Sequence, residues 1–524
     1  MGKKDKGKNK KKMSGSEKTA LKTEKKLNVR QKKELAALGE DDIEKVVAEI
    51  EREAARRQRV KEAVVEPPSR RVNFTLNAHP FKDELIMLGG EFYDGRQTTV
   101  YGDMFIYNIN KKEWSVVKAP GAPPPRCGHQ TASTAARGGE LWVFGGEFSS
   151  PSESQFYHYR DLWVFLLSER KWEKITAPNG PSARSGHRMV HSKKQLIVFG
   201  GFHDNLRDYK YFNDVYAFDL ETYVWRKIEP AGIAPAPRSG CVVLPTPDNK
   251  ILMYGGYSKE RVKKDVDKGR IHDDMFLLTP DKNDATKYKW VSVRQSGMRG
   301  TPRCGVSAAL VQPNQALLFG GVQDEEEEDD EDGLRGTFYK DLFALDLEKF
   351  HWHNVTLCGR KENTATERRR RRRQKEEGDE EGENQESDDS GDVEMSDESP
   401  ADPARPGTVT VEDGVFTMTL GPVGAVPATE IGPSPGENSR EAATFSPSPR
   451  MNAGMVAKNN LLYLYGGIVE DSDRQYTLSD FYSLDYRKLQ EWKTLIPDSL
   501  KSHTWFESGS SSDEDDSEDS SEDD

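Results

Sequence analysis

At roughly 150 residues per domain, the 524 residues would make three or four domains, yet only 34% are hydrophobic and 31% are charged. An ordinary globular chain is roughly 45–50% apolar, so much of this one lies outside any core, and the net charge of −13 averages strongly basic with strongly acidic blocks. The cysteines at 127, 241, 304 and 358 have no CxxC spacing, which excludes a disulfide framework or a zinc cluster. The longest apolar run, Leu461 to Tyr465, falls far short of the ~20 residues of a membrane helix. No apolar h-region or myristoylation signal follows Met1. These features describe a soluble protein of a reducing compartment, in the nucleus or nucleolus, the cytoplasm, or both.

Residues 1–33 carry 14 Lys/Arg against three Asp/Glu, the composition of a disordered basic arm. Such an arm suits nuclear localisation or contact with RNA or ribosome phosphates. The next stretch, 34–66, reads as a helical segment. Asp41 and Glu44 form a capping box, and Ile43, Val46, Val47, Ile50 and Ala54 share one face. That face needs a cover, from the rest of the chain or from a partner helix.

Residues 67–353 then repeat. Glycine pairs follow an apolar run at Gly89-Gly90, Gly145-Gly146, Gly200-Gly201, Gly255-Gly256, Gly320-Gly321 and, after an insertion, Gly466-Gly467; the first spacings are 56, 55, 55 and 65 residues. An Arg-x-Gly/Asn turn precedes each pair, beginning at Arg71, Arg126, Arg184, Arg238, Arg303 and Arg450. An aspartate with two apolar residues follows, at Asp103, Asp161, Asp214, Asp274, Asp341 and Asp480. A tryptophan closes each unit, at Trp114, Trp172, Trp225, Trp290, Trp352 and Trp492. Within Arg184–Ile228 four short β-branched or aromatic runs are bounded by turn chemistry, as strands are. A four-stranded sheet of about 55 residues must stack on its neighbours, and radial stacking gives an all-β, six-bladed propeller. The glycine pairs serve turns and close backbone approach rather than a phosphate cradle, because no GxGxxG enters a helix. The tryptophans pack between blades and the aspartates bond turns. A strand from 63–66 or 501–507 is available to close the ring.

Nearly all length variation falls in the segments between the second and third strands (b and c) of each unit, and in the crossings between units. Both lie on one face, the usual address of function on a rigid scaffold. The second segment carries Phe156, Tyr157, His158, Tyr159 and Arg160, and the third Arg207, Tyr209, Tyr211 and Phe212, amphipathic side chains that suit a protein hot spot. The fourth is basic, with Lys259, Arg261, Lys263, Lys264, Lys268 and Arg270. The fifth is acidic from Asp324 to Asp332, and opposite charges side by side favour a partner of mixed charge. No cofactor or metal set stands out. His351 and His353 flank Trp352 on one side of a strand, but two ligands make a weak site, and Cys127 and Cys304 occupy small-residue turn positions.

The insertion, 354–447, holds six arginines at 368–373, an acidic Ser-rich stretch and Pro/Gly-rich sequence, a disordered composition apart from one hairpin around Asp413-Gly414. The sixth unit occupies 448–496. The tail, 497–524, is acidic and Ser-rich, with Ser511 and Ser512 as acidophilic-kinase sites.

The paired glycines, the period of about 55 and the closing tryptophan resemble kelch repeats. With the basic arm, the insertion before the last blade, the acidic tail and the loop from Tyr257 to Gly269, the chain resembles the kelch domain-containing protein 4 family, over about 70–353 and 448–496. The resemblance implies a non-catalytic binding propeller and supplies no ligand. The expected function is a monomeric interaction scaffold that grips a protein or ribonucleoprotein partner on the b–c face. The alternatives are a substrate-recognition subunit of a ubiquitin ligase, for which no BTB domain or cullin box is recognisable, and a ribosome-biogenesis or nucleolar accessory factor.

Overall fold

The computed structural model describes residues 41–205, 208–263, 266–284, 286–326, 334–359, 410–413, 416–419, 444–471 and 474–497. They divide into two units, the larger built from 41–356, 447–484 and 492–497 and the smaller from 357–446 and 485–491. In the smaller unit Thr410–Asp413 pairs antiparallel with Phe416–Thr419, the hairpin expected around Asp413-Gly414.

The larger unit is a six-bladed propeller. Strands a, b, c and d of blade one are Thr75–Ala78, Glu84–Leu88, Met104–Asn108 and Glu113–Lys118, hydrogen-bonded in sequence order. The a strands of the other blades are Gln130–Thr134, Arg188–Ser192, Val242–Pro245, Ser307–Gln312 and Gly454–Lys458. Each a strand neighbours those of the adjoining blades, and that of blade six neighbours that of blade one. Among the described residues no blade borrows a strand to close this ring; the candidate strand 501–507 lies outside them. Lys61–Val65, part of the segment read as helical, instead adds a fifth strand to the outer edge of blade one, antiparallel to strand d. Helix α1 is confined to Ile43–Arg56, and its N-cap is Asp42, one residue later than expected, with the side chain accepting from the Glu44 N–H at 3.1 Å.

Side chains from facing blades fill the spaces between them. Each closing tryptophan meets the last strand-b residue of the preceding blade: Trp225 against Phe144, Trp290 against Phe199, Trp352 against Tyr254 and Trp492 against Phe319, at centroid distances of 5.0–5.9 Å. Trp114 of blade one meets Tyr465 of blade six at 5.8 Å, and Trp172 shares a core with Leu88. Ring closure therefore uses the same contact as every other blade junction.

The Arg-x-Gly/Asn turns pin the centre. Nη1 of Arg126, Arg184, Arg238 and Arg450 donates to the carbonyl of the first glycine of its own blade's pair at 2.9–3.0 Å, and Nη1 of Arg303 and Arg71 does so at 3.3 and 3.2 Å. The same guanidinium pairs with the repeat aspartate: Arg126 with Asp161, Arg184 with Asp214, Arg238 with Asp274, Arg303 with Asp341 and Arg450 with Asp480. In blade one the pair is looser, with Arg71 3.9 Å from Asp103. Its Nε donates to the carbonyl two residues upstream in every blade, at 3.0–3.2 Å. The planar guanidinium fork can hold a carboxylate and carbonyls at once, which a lysine cannot.

Blades are also joined through the backbone. The second glycine's N–H donates to the arginine carbonyl of the next blade, as Gly90 to Arg126, Gly146 to Arg184 and Gly201 to Arg238, each at 2.9 Å. Both glycines of every pair have positive φ, 59–72° for the first and 91–106° for the second. At Gly201 a Cβ would stand 2.7 Å from the Ser185 carbonyl oxygen, so only glycine fits. The third residue of each turn is left-handed as well, and where it is asparagine, Asn73 and Asn452, φ is 55° and 53°, a conformation asparagine tolerates. Gly201→Ala is expected to lower stability by about 2–3 kcal/mol and Asn452→Gly by no more than about 0.5 kcal/mol. Urea-unfolding midpoints of the two variants measure the contrast.

Candidate functional site: the hairpin crown

Five of the b–c connections are themselves β-hairpins. They pair Glu91–Tyr93 with Thr98–Val100, Glu147–Ser149 with Phe156–His158, Phe202–Asp204 with Tyr209–Tyr211, Tyr257–Lys263 with Val266–Ile271, and Val322–Glu326 with Leu334–Phe338. In blade six strands b and c run on as Leu461–Asp471 and Arg474–Asp485. The first hairpin residue bridges to the middle of its own blade's Arg-x-Gly/Asn turn, for example Glu147 to Cys127 and Tyr257 to Ser239, so the crown is rooted in the pinned centre.

Neighbouring hairpins are tied sideways by polar contacts. Thr98 Oγ1 donates to Glu153 at 2.6 Å, linking blades one and two. His158 reaches blade three: Nδ1 lies 2.8 Å from Ser185 Oγ, and Nε2 lies 2.9 Å from the Asp204 carbonyl oxygen and 3.1 Å from the Asp204 N. The Tyr209 hydroxyl donates to Asp267 Oδ1 at 2.8 Å, linking blades three and four, and Arg261 stands 5.3 Å over the Tyr209 ring.

The aromatic patch expected on the blade-two hairpin is not a free surface. Tyr159 is only 3% exposed, packed with Ile43 and Val47 of helix α1 and with Phe148 and Tyr157. Its hydroxyl donates to the Pro125 carbonyl at 3.0 Å, and Arg126 lies 4.0 Å from its ring. His158 is buried, Phe156 and Tyr157 are half-buried, and Arg160 alone of the five is exposed. Helix α1 is held there by more than apolar contact. Gln155 Nε2 donates to the Asp41 carbonyl at 2.9 Å, Lys174 pairs with Glu51 at 2.5 Å, and the Gly121 N–H donates to the Ala54 carbonyl at 3.1 Å. The amphipathic face that called for a cover finds it here, and thereby covers the patch.

On blade three Tyr209 and Tyr211 are half-buried; Arg207 lies outside the described residues. Blade four differs, since Lys259, Arg261, Lys268 and Arg270 are all exposed. Arg261 approaches Asp267 and Asp208 at 3.4 and 3.8 Å, and Arg270 approaches Glu260 at 3.2 Å. Tyr257 to Ile271 still holds six basic against three acidic residues. Lys264 and the side chain of Lys263 are outside the described residues, as is most of the acidic run after Asp324.

Two carboxyls that sequence reasoning passed over lie inside the crown. Glu91 accepts from Asn73 Nδ2 at 2.7 Å and from the Cys127 thiol at 3.1 Å, so Cys127 bonds as well as packs. Burial, reinforced by neighbouring Glu91, pushes Glu147 up to about 8. The legible signal was the residue after the glycine pair, which is Glu91 and Glu147 in two units but Phe202, Tyr257, Val322 and Ile468 in the rest. On blade five His351 and His353 do share a side, with rings 4.6 Å apart and His351 Nδ1 2.9 Å from Ser296 Oγ. Among the described residues no group of three or more His, Cys, Asp or Glu could hold a metal ion, and no helix is long and apolar enough to cross a membrane.

Residues 75–321 match the KLHDC2/KLHL20/DRC7 Kelch-repeats domain. Kelch repeats account for the blades within that span. The chain is similar to the flagellar outer-arm dynein alpha chain of Chlamydomonas reinhardtii, 28% identical over 256 residues, a match spanning 46% of this chain and 5% of that protein. Acyl-CoA-binding domain-containing protein 5 of Arabidopsis thaliana is 29% identical over 190 residues, 36% of this chain and 27% of that protein. The N-(sulfonatooxy)prop-2-enimidothioate sulfolyase of Thlaspi arvense is 24% identical over 284 residues, 52% of this chain and 75% of the enzyme. This chain spans about a quarter or less of the length of the first two.

Burial depresses the crown histidines, His158 to about 4 and His129 to about 3, and holds His187, whose ring nitrogens find no partner, well below its ordinary value. A depressed base keeps its neutral form in the fold, so its contribution is complete above the ordinary value of 6.5 and is lost as pH falls through the interval below it. Raised Glu91 and Glu147 act oppositely, but His79, His203 and His272 are depressed as well and add to the effect of the three. Stability is therefore expected to drop between pH 6.5 and 4.5, by about 2 kcal/mol per buried histidine at pH 5, with His158→Gln shallowing the slope. Urea midpoints across that range read it.

Proposed function

We propose that this kelch propeller is a non-catalytic protein-interaction scaffold that binds an acidic segment of a protein partner on the crown, at the blade-four hairpin. The observation carrying the reading is the contrast between two hairpins. On blade two helix α1 buries Tyr159 and packs on Tyr157, whereas Lys259, Arg261, Lys268 and Arg270 on blade four are exposed on a rooted, laterally tied support. A preformed support limits the ordering cost of binding, and a basic hairpin with net positive charge speeds encounter with an acidic partner. The finer likeness to the kelch domain-containing protein 4 family rests on this same hairpin, together with the basic arm and acidic tail. We assign the protein, as a monomer, to the nucleus, nucleolus or cytoplasm.

Affinity capture from cells with Lys259→Glu/Arg261→Glu/Arg270→Glu is expected to lose the partner of the wild-type chain, whereas Tyr157→Ala retains it. The opposite pattern would place binding on blade two and require helix α1 to lift. Co-purifying cullin subunits would mark the scaffold as a ligase receptor. Co-purifying ribosomal particles lost on deleting residues 1–33 would mark it as a ribosome-associated factor.

A further inference from the structure

The a strands enclose a central channel of about 440 Å³, within the range of small-molecule sites. Its walls are mostly neutral, with Asn77, Gln130, Thr131 and Ser307 among them, and its charged lining residues are Glu147 and Arg188. Each of the repeat arginines faces an aspartate. Arg188 faces no carboxylate among the described residues. Its contacts are main-chain carbonyls, with Nε donating to Cys241 O at 2.5 Å and Nη1 to His187 O at 3.3 Å. Those bonds fix the head of the side chain and leave donors of the guanidinium fork unused. Burial lowers its pKa, and no carboxylate opposes the effect; the Cys241 thiol is the one group that does.

Arg188 is half-buried on the channel wall, and an anion brought to a guanidinium that has no counter-charge there is held more firmly than on the open surface. We infer that the central channel is a binding site for a small oxyanion, a phosphate or carboxylate group, seated on Arg188. The walls add hydroxyl and amide groups that orient such a ligand. Glu147 stands on the same lining, and its proton is retained to about pH 8, so it adds little negative charge near neutrality. This site is separate from the blade-four hairpin and does not depend on it.

The test titrates inorganic phosphate and, separately, citrate into the full-length chain carrying the three blade-four charge reversals, followed by calorimetry. One saturable site is expected, weakened at least tenfold by Arg188→Met, which keeps the aliphatic stem, and less by Arg188→Lys. Wild-type protein provides a measurement independent of folding in the variants: phenylglyoxal modification of Arg188, read by peptide mass, should be slowed by the bound anion. Equal affinity in Arg188→Met, or modification of Arg188 unaffected by either anion, would overturn the assignment. So would binding of an acidic peptide with no response to phosphate or citrate, which would make the ligand a protein segment.

Discussion

Six buried arginines hold this propeller together, and the position of every functional surface follows from them. Each guanidinium ties the first carbonyl of the glycine pair, the carbonyl two residues upstream and the repeat aspartate into one knot, tightest in Arg450–Asp480, where both side chains are fully buried. A buried ion pair contributes modestly in net terms because desolvation offsets attraction, but removing one partner typically costs about 3–5 kcal/mol. The knots therefore act chiefly as specifiers of geometry. They hold the Arg-x-Gly/Asn turns against the glycine pairs, and the b–c hairpins grow directly from that junction.

That construction explains why the crown is rigid near the axis and variable at its tips. Hairpins rooted in the knots are braced sideways by Thr98–Glu153, His158–Asp204 and Tyr209–Asp267. Beyond these braces, blade-four residues such as Lys259 and Arg270 stand in solvent. Binding chemistry can change there without disturbing the packing between blades. The glycines and tryptophans have no such freedom, since a Cβ at Gly201 or a smaller side chain at Trp225 would disturb a blade junction.

The fold was legible in the sequence because its constraints repeat. Positive φ selects glycine at the same place in every blade, and the tryptophan fills the same gap, so a local requirement became a period. The arginines and aspartates repeat as visibly, but their pairing across about 30 residues depends on blade curvature and was not legible from spacing. Helix α1 was legible as amphipathic, yet nothing in its heptad-like face says that it lands on Tyr159, more than 100 residues away. That landing takes Tyr159 out of the blade-two patch, because aromatic side chains signal packing as readily as recognition. Lys61–Val65, read as the end of a helix with 63–66 also available as a strand, is an edge strand because strand d of blade one offers it a ladder of backbone partners. Arg188 went unnoticed because a single charge in strand a has no counterpart in the other blades to set it apart.

The central claim is that the chain's own helix closes blade two and leaves blade four as the recognition surface. Hydrogen exchange on the full-length protein, alone and with its captured partner, tests this most directly. The account predicts new protection within Tyr257–Ile271 on binding, with helix α1 and Phe156–His158 protected in both states. Loss of protection in α1 together with new protection at Phe156–His158 would contradict it.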